Sequence, residues 1–418
     1  MRAQKRTIGR LWRDAIAADH PNPAYLVEAG ESWQEVSWAE AARRVDELAN
    51  GLLALGVRKG DAFGILASTR LEWVLFDFAL ALVGGISAPI YANSSPRDCA
   101  YLLEHSEAVG VLVEDDEQLA KVDEVRGQIP GVRHLLTFSD LDPLADRGRD
   151  FAAAEPRALA EAEAAVTPED LFTYIYTSGT TGPPKGCMIR HRNYYAMASI
   201  IDRLEGLVTK GDVMLLYLPL AHNFGRLMHL AGPYAGYAVA FCPDPYRVAE
   251  ALRTVRPTVF PSVPRIYEKI DTAVTAAFDE TTGARRGLLD WALRAGRRTS
   301  ALREAGQPLP RVLAAQHRLA DRLVYRKVKK RLGGRLRIGI SGGAPLAVEI
   351  TRRFHTLDIL VLEGYGLTEC TTAACVNRPN RYRFGTVGPA LPGVELDIAE
   401  DGEILIRSET LFVGYLKD

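Results

Sequence analysis

Short apolar runs alternate with helix-like patterns along most of the chain. Six of these runs have the length and composition of buried strands: AFGILAS (62 to 68), GVLVE (110 to 114), VMLLYL (213 to 218), TVFPSV (258 to 263), LRIGIS (336 to 341) and ILVLEGYG (359 to 366). Their alternation with helical segments predicts an α/β fold in which parallel sheets carry helices on their faces. Ligands of such sheets bind beyond the carboxyl ends of the strands, so the loops that follow these runs are the candidate functional segments.

The composition is that of a globular protein with two or three packed subdomains. The chain has 418 residues, of which 47% are hydrophobic and 25% charged. Its formal net charge of −1, from 51 basic and 52 acidic residues, gives no reason to expect a nucleic-acid partner. The five cysteines are odd in number and include no C-x-x-C pair, which argues against a disulfide framework or a structural zinc site and favours a cytoplasmic location.

The most apolar long stretch is LEWVLFDFALALVGGISAPI, residues 71 to 90. It carries Glu72 and Asp77 and is interrupted by Gly84 and Gly85, so it is a poor candidate for a membrane span. We expect a buried helix followed by a strand. The basic N-terminus lacks the apolar core of a signal peptide and has helical spacing, which predicts a surface helix.

Positive charge is concentrated between residues 285 and 335, which contain fifteen Lys or Arg residues and three acidic residues. The pattern indicates a basic helical insert. A solvated helical face accounts for such a run, and so does a surface for an anionic membrane, which would make the protein membrane-peripheral, or for a phosphorylated cosubstrate.

The pattern changes after Gly385 to short strands and turns. Asp401 and Gly402 stand between two alternating runs, which predicts a hairpin. We therefore expect a large domain of two α/β subdomains over residues 1–384 and a small β-rich subdomain over 385–418, incomplete at its end.

One loop has the residue types of a phosphate-binding segment. In TYIYTSGTTGPPKGCMIRH, residues 173 to 191, hydroxyl side chains, glycines and one lysine follow a strand-like run. Backbone N–H groups, hydroxyls and a cation replace the hydration shell of phosphate oxygens. The spacing differs from that of P-loop NTPases, because Gly179 and Gly182 are three apart and Gly186 follows Lys185.

Seven motifs in order resemble the adenylate-forming superfamily, which includes acyl-CoA synthetases, luciferases and adenylation domains of peptide synthetases. They are YTSGTTGPPKG, YLPLAHNFGR (217 to 226), PTVFPSVPRIYEKI (257 to 270), ISGGAPL (340 to 346), EGYGLTEC (363 to 370), GTVGPALPG (385 to 393) and GEILIRSETLFVGYLKD (402 to 418). The chain is most similar to the large N-terminal domain of long-chain fatty acyl-CoA synthetases. The resemblance implies two parallel-type sheets in a layered αβαβα arrangement.

The resemblance also implies a site. It assigns nucleotide contacts to Thr177, Ser178, Gly179, Thr180, Thr181, Gly182, Lys185, Gly342, Gly343, Ala344, Glu363, Gly364, Tyr365, Gly366 and Thr368. It assigns the acid-binding pocket to His222, Phe224, Tyr217, Phe260, Ser262, Val263 and Gly366. Lys185, Thr368, Glu369 and His222 would be catalytic, and Glu369 would hold Mg²⁺. Without the family resemblance, each of these residues has a structural interpretation. Glu369 would as readily be a purely structural acid, and His222 would be an ordinary partly buried histidine. The residues assigned to the wall of the acid-binding pocket would as readily belong to the core.

The implied reaction is the activation of a long-chain or bulky hydrophobic carboxylic acid by ATP and Mg²⁺ to acyl-AMP, followed by thioester formation with coenzyme A. Two alternatives stay open: an adenylating domain that loads a carrier protein, and an adenylate-binding domain without independent catalysis.

No Thr-Gly-Asp motif follows GYLKD, so the family's ribose-binding aspartate, hinge and small C-terminal domain with its lysine are expected to be absent. We expect the sequence to be cut from a longer protein and to be impaired in this form. Asn223, Gly225 and Cys370 depart from the usual residues near the carboxylate site.

Overall fold

The computed structural model describes residues 6–30, 32–177 and 182–418. The described strands are β1 (Tyr25–Ala29), β2 (Ser32–Val36), β3 (Ala62–Leu66), β4 (Ile86–Ile90), β5 (Ala108–Val113), β6 (His134–Thr137), β7 (Leu171–Thr177), β8 (Lys185–Arg190), β9 (Val213–Leu216), β10 (Ala238–Phe241), β11 (Val259–Ser262), β12 (Ile338–Ser341), β13 (Leu360–Tyr365), β14 (Cys375–Val376), β15 (Glu395–Ile398) and β16 (Ile404–Arg407).

The described α-helices are α1 (Ile8–Ala17), α2 (Trp38–Ala54), α3 (Leu71–Val83), α4 (Pro96–His105), α5 (Asp116–Glu124), α6 (Leu141–Ala154), α7 (Ala158–Ala165), α8 (His191–Asp202), α9 (Asn223–Ala235), α10 (Val248–Val255), α11 (Pro264–Asp279), α12 (Gly283–Glu304), α13 (Arg311–Ala320), α14 (Arg326–Arg331) and α15 (Val348–Thr356). Short 3₁₀ turns lie at 126–128, 138–140, 245–247 and 368–370, and a π-helical turn at 321–325 joins α13 to α14.

Two large sheets form the frame of the molecule. One has the strand order β14-β13-β12-β11-β9-β10-β1-β2 and the other β6-β5-β3-β4-β7-β8. Neighbouring strands run parallel except for the outer pairs β1–β2, β13–β14 and β7–β8. The α/β fold with two parallel-type sheets is therefore confirmed, and the six apolar runs correspond to β3, β5, β9, β11, β12 and β13.

Two helices lie in the buried layer of the fold. The apolar sequence of α3 is buried along its whole length, and the helix ends at Gly84, whose φ of 77° suits a residue without a Cβ. Residues 223 to 233 of α9 are almost entirely buried as well. The expectation of a buried helix followed by a strand at residues 71 to 90 is confirmed, with β4 as the strand.

A charged pair joins these two helices. The Arg226 guanidinium of α9 donates to Asp77 of α3 at 2.5 Å, to Ser87 Oγ at 2.7 Å and to Thr173 Oγ1 at 2.6 Å. The side chains of Arg226 and Asp77 are 0% and 1% exposed. Burial raises the pKa of Asp77, and the adjacent guanidinium opposes that shift. Because Ser87 and Thr173 belong to β4 and β7, the cluster links α9 to the six-stranded sheet.

The remaining predictions about organisation concern the two ends of the chain and the basic segment. α1 forms at the predicted N-terminal position and buries one face, with Ile8, Leu11 and Trp12 in the core. β15 and β16 pair antiparallel around Asp401 and Gly402, which confirms the hairpin. The basic segment is helical from α12 to α14, and the division at residue 385 stays a prediction. Across the described residues, no helix combines the length and apolarity needed to cross a membrane.

Two completely buried histidines make the stability depend on pH. Burial lowers the pKa of His191 and of His229 to about 3 each. In the unfolded chain a histidine binds its proton near pH 6.5. The contribution of these two neutral histidines to the free energy of unfolding is therefore fully present above about pH 6.5 and decreases as the pH falls. We expect the free energy of unfolding to fall by about 1.4 kcal/mol per pH unit for each of these histidines below that point.

Urea unfolding between about pH 5 and 7.5 measures this slope. The double variant His191→Asn/His229→Gln should have a flatter profile than the natural chain. Equal slopes in the two proteins would contradict the assignment.

Candidate functional site

A cavity of about 180 Å³ opens at the carboxyl ends of β12 and β13, beside the first turn of α9. These strands are parallel neighbours, so the residues that follow them meet at one edge of the sheet. Eight of the predicted site residues line the cavity: His222, Phe224, Gly342, Gly343, Gly364, Tyr365, Gly366 and Thr368. Three sequence motifs that are far apart in the chain thus contribute to a single site.

The turn after β12 runs close to the ring of Phe224. A Cβ on Gly342 would lie 3.4 Å from that ring, and Gly343 has a φ of +84°. The turn needs small residues because the aromatic ring and the backbone lie in contact on this side of the cavity. The predicted residue Ala344 continues the turn but is exposed and does not line the cavity.

Gly366 marks a second close approach. A Cβ at this position would overlap the carbonyl oxygen of Thr372 and lie 2.6 Å from Ala373 Cα. The loop after β13 therefore folds back on itself against Gly366. Thr371 and Thr372 in this loop have φ values of +54° and +93°, which cost energy in residues with a Cβ and concentrate at functional sites.

Most of the cavity wall consists of residues that the sequence did not single out. Apolar side chains dominate: Ile201, Leu207, Leu227, Met228, Ile340, Leu367, Ala373, Cys375 and Val376. Leu227 and Met228 lie three and four residues after Phe224 on α9, and this helical spacing was a signal available in the sequence. The others come from elements whose proximity depends on the fold.

Four residues predicted for the acid-binding wall lie outside the cavity. The hydroxyl groups of Tyr217 and Ser262 form a hydrogen bond of 2.6 Å. The rings of Tyr217 and Phe260 are stacked, with their centroids 5.9 Å apart. Phe260 is 1% exposed and belongs to the core. Val263 is on the surface before α11. The strand ends here pack against one another and not against the cavity.

Glu363 holds the backbone behind the cavity. Its carboxylate accepts a hydrogen bond from the Leu346 N–H at 3.2 Å, and its own carbonyl oxygen accepts one from the Asn377 N–H at 3.0 Å. Burial raises the pKa of Glu363, while N–H donation from Leu346 and Gly385 opposes the shift. This residue fixes the loops around the site and does not line the cavity.

Asn223 connects α9 to the loop that carries Thr368. Its amide donates to the Thr368 carbonyl oxygen at 3.2 Å, and its own carbonyl oxygen accepts from Thr372 Oγ1 at 3.0 Å. Tyr194 donates to the Asn223 side chain. The Thr368 hydroxyl has no hydrogen-bond partner among residues 6–30, 32–177 and 182–418, so it can bond a ligand in the cavity. Asn223, one of the residues that differ from the usual family pattern, thus connects α9 to the loop after β13.

His222 caps α9 at the mouth of the cavity. Its Nδ1 accepts a hydrogen bond from the Phe224 N–H at 3.1 Å, which places the proton of the neutral ring on Nε2. Desolvation lowers the pKa of His222, although the side chain retains solvent contact. The imidazole is therefore neutral at pH 7 and offers an N–H donor.

Glu369 lies in the 3₁₀ turn after β13, next to Thr368. Its Oε1 accepts a hydrogen bond from the Tyr415 hydroxyl at 2.7 Å. This bond, together with desolvation, raises the pKa of Tyr415, so the phenol keeps its proton. Among the described residues, no group of three or more His, Cys, Asp or Glu side chains is placed to hold a metal ion.

Only the two ends of the candidate phosphate loop are described. Thr177 ends β7, Gly182 has a φ of +106°, and Lys185 begins β8. Ser178, Gly179, Thr180 and Thr181 lie outside the described residues. The Lys185 ammonium pairs with Asp418 and lies 5.0 Å from the centre of the Tyr415 ring. Neither Asp418 nor Tyr415 was singled out by sequence reasoning.

A comparison with protein families matches residues 13–416 to the family described as AMP-binding enzyme. The chain is 36% identical over 404 residues to the long-chain-fatty-acid–CoA ligase FadD15 of Mycobacterium bovis and 28% identical over 432 residues to the long-chain-fatty-acid–CoA ligase ACSBG2 of Homo sapiens. These alignments cover 92% and 98% of this chain and 64% of each relative. The chain thus spans less than two thirds of the relatives' length.

Solved structures with a similar fold include the anthranilate CoA ligase AuaEII in complex with anthranoyl-AMP, with a TM-score of 0.76 and 21% identity over 100% of this chain and 71% of that one. The N-terminal domain of FACL13 from Mycobacterium tuberculosis gives a TM-score of 0.74 and 20% identity over 99% of this chain and 91% of that one. At these identities the likeness establishes the fold.

Proposed function

Since the chain belongs to the family of AMP-binding enzymes, we propose that it binds ATP and a long-chain or bulky hydrophobic carboxylic acid and joins them as acyl-AMP, which coenzyme A then converts to the thioester. The relatives FadD15 and ACSBG2, both named long-chain-fatty-acid–CoA ligases, support this choice of acid and acceptor.

The observation that carries the proposal is the composition of the cavity. Apolar side chains form most of its wall, and His222, Thr368 and the glycine turn 342–343 also line it. A hydrophobic acid would place its chain against the apolar wall and its carboxylate near Thr368 and His222. The neutral His222 ring donates from Nε2, so it can orient a carboxylate oxygen without neutralising its charge.

In the first step a carboxylate oxygen would attack the α-phosphorus of ATP, and the bond from that phosphorus to the departing pyrophosphate would break. Positioning and charge stabilisation account for most of the catalysis of phosphoryl-type transfers. Thr368 would donate to an α-phosphate oxygen, and Lys185 would approach the β- and γ-phosphates. In the second step the thiol sulfur would attack the acyl carbonyl, and AMP would leave with the electron pair of the broken bond.

The residues present are compatible with Mg²⁺ as a partner of ATP. Within the described part of the chain, Oε2 of Glu369 has no hydrogen-bond partner, and a carboxylate oxygen is a preferred ligand of this ion. Mg²⁺ is commonly held by one or two carboxylates together with substrate phosphates and water. Glu369 would hold the ion, which when bound neutralises phosphate charge.

Calorimetric titration with acyl-sulfamoyl adenosine analogues of several acyl lengths tests the proposal. We expect the natural chain to bind these analogues. The substitution Ala373→Leu narrows the cavity, so it should weaken the binding of the longer analogues most. Ala301→Leu is the matched control, because Ala301 is exposed on α12 and does not line this cavity. Absence of binding by every analogue would refute the proposed function.

We also propose that the basic helices contact an anionic membrane surface. Val312, Leu319 and Leu323 are 72%, 50% and 38% exposed. Their spacing of seven and four residues places them on one face of the α13 region. Exposed Arg318 and Arg322 flank this row and have no ion-pair partner within the described residues. Apolar side chains with a basic border suit the interface of a membrane that contains anionic lipid.

Vesicle co-sedimentation tests this contact. We expect binding to vesicles with phosphatidylserine to exceed binding to neutral vesicles, and the double variant Leu319→Ser/Leu323→Ser to bind at least about 100-fold more weakly, since each leucine contributes on the order of 1.5–3 kcal/mol when buried and about 1.4 kcal/mol is a factor of ten. Ile398→Ser/Leu405→Ser makes the same type of change on the exposed β15–β16 hairpin and should bind like the natural chain. Equal binding by both double variants would contradict the proposed surface.

A further inference from the structure

The segment 412–416 joins the two sides of the candidate phosphate and metal site. It lies along β8, where three hydrogen bonds connect it to the strand that begins at Lys185: Val413 N–H to Met188 O at 2.9 Å, Met188 N–H to Gly414 O at 3.0 Å and Leu416 N–H to Gly186 O at 2.8 Å. At its other end the Phe412 N–H donates to the Glu369 carbonyl oxygen at 2.8 Å. The segment thereby fixes the distance between Glu369 and β8.

Tyr415 is at the centre of this segment and contacts both functional side chains. Its hydroxyl donates to Glu369 Oε1 at 2.7 Å, and its ring lies 5.0 Å from Lys185 Nζ. The hydroxyl occupies one carboxylate oxygen and leaves Oε2 without a hydrogen-bond partner among the residues that the structure describes. The ring face attracts the ammonium group through its quadrupole.

We propose that Tyr415 is a positioning residue for the metal and the triphosphate: its hydroxyl fixes the Glu369 carboxylate and leaves Oε2 available to hold Mg²⁺, and its ring, together with Asp418, positions Lys185 for the triphosphate. The inference rests on the proposed function and deepens it. Mg²⁺ demands near-octahedral geometry, so the orientation of its protein ligand affects its affinity. Hydrogen bonds to metal ligands from neighbouring side chains typically contribute 10- to 100-fold in metal affinity.

The two contacts can be separated by substitution. Tyr415→Phe removes the hydroxyl and keeps the ring under Lys185, whereas Tyr415→Leu removes both. Tyr382→Phe is the matched control, because Tyr382 is also partly buried and its hydroxyl also bonds one side chain, His355, at 3.2 Å, but it lies outside the candidate site.

The measurement is binding of Mn²⁺, as a probe for Mg²⁺, by electron paramagnetic resonance with ATP present, together with calorimetric titration of ATP without metal. Tyr415→Phe should weaken the binding of Mn²⁺ by about 10- to 100-fold and leave the binding of ATP without metal unchanged. Tyr415→Leu should in addition weaken metal-free ATP by about two- to fivefold, since the cation–π contact of Lys185 is lost. Tyr382→Phe should match the natural chain in both.

Two different results would overturn these claims separately. Metal binding by Tyr415→Phe that equals that of the natural chain would overturn the positioning role of the hydroxyl while leaving the proposed function intact. Failure of the natural chain to bind ATP with or without metal would overturn the proposed function and the inference together. Equal urea unfolding of Tyr415→Phe and the natural chain excludes a loss of fold as the cause of weaker metal binding.

Discussion

Replacing Arg226 by methionine is expected to lower the free energy of unfolding by about 3–5 kcal/mol. The guanidinium is completely buried between α3 and α9, and its removal leaves the charge of Asp77 in the interior without its partner. An uncompensated buried charge is the most destabilising product of a single substitution in an ion pair. The loss should also loosen the start of α9, which carries His222 and Phe224.

The double variant Asp77→Leu/Arg226→Met separates the pair from the packing. With both charges removed, Ser87 Oγ still donates to the Phe172 carbonyl oxygen, and Thr173 Oγ1 still donates to the Ser87 carbonyl oxygen. We therefore expect the double variant to recover most of the stability, since apolar replacement of a buried pair is often neutral or better. Urea unfolding of both single variants and the double variant gives the coupling energy.

Arg286→Met provides the control for the same chemical change. Arg286 forms an exposed pair with Asp290 at 3.1 Å, and such pairs contribute about 1 kcal/mol or less. If Arg226→Met lowered the free energy of unfolding by no more than Arg286→Met does, the account of the buried pair would be refuted.

Under the proposed function, replacing Glu369 by glutamine is expected to reduce the rate of acyl-AMP formation by about 10²- to 10³-fold. The amide keeps the shape of the side chain and can still accept the Tyr415 hydrogen bond, but it loses the negative charge that would hold Mg²⁺. Exchange of labelled pyrophosphate into ATP at several Mg²⁺ concentrations measures the effect. More Mg²⁺ should restore part of the lost rate.

Glu409→Gln is the matched control for this variant. Glu409 is exposed and pairs with Arg6, so its neutralisation should change neither the exchange rate nor its dependence on Mg²⁺. If Glu369→Gln kept the rate of the natural chain, another residue would have to hold the metal.

The residues around β12 and β13 show what could be read from the sequence. The glycine turn 342–343 and the loop 364–368 were assigned to the site by the family resemblance, and both line the cavity at the edge where β12 and β13 end. Tyr217 and Phe260 were assigned by the same reasoning but pack in the core. An aromatic residue at a strand end fits a core as well as a pocket, and only the neighbouring elements decide between them.

Tyr415 and Asn223 show why the rest of the site was not predictable. Tyr415 is 46 positions from Glu369 in the sequence and 2.7 Å from it in space. Asn223 was identified only as a departure from the family, although it connects α9 to the Thr368 loop. Contacts between distant segments depend on how strands and loops are brought together, and no local pattern records them.

The sequence by itself determined the α/β class, the buried course of α3 and the loops that hold the candidate chemistry, because apolar periodicity and glycine placement act over a few neighbouring residues. It also showed that Asp77 interrupts an apolar helix. Only the tertiary structure decided that Arg226 is its partner, that α9 supplies the cavity wall and that Tyr415 lies between Lys185 and Glu369. The physical reason is that burial and hydrogen bonding between distant segments depend on packing in three dimensions, whereas propensity and periodicity depend on neighbours along the chain.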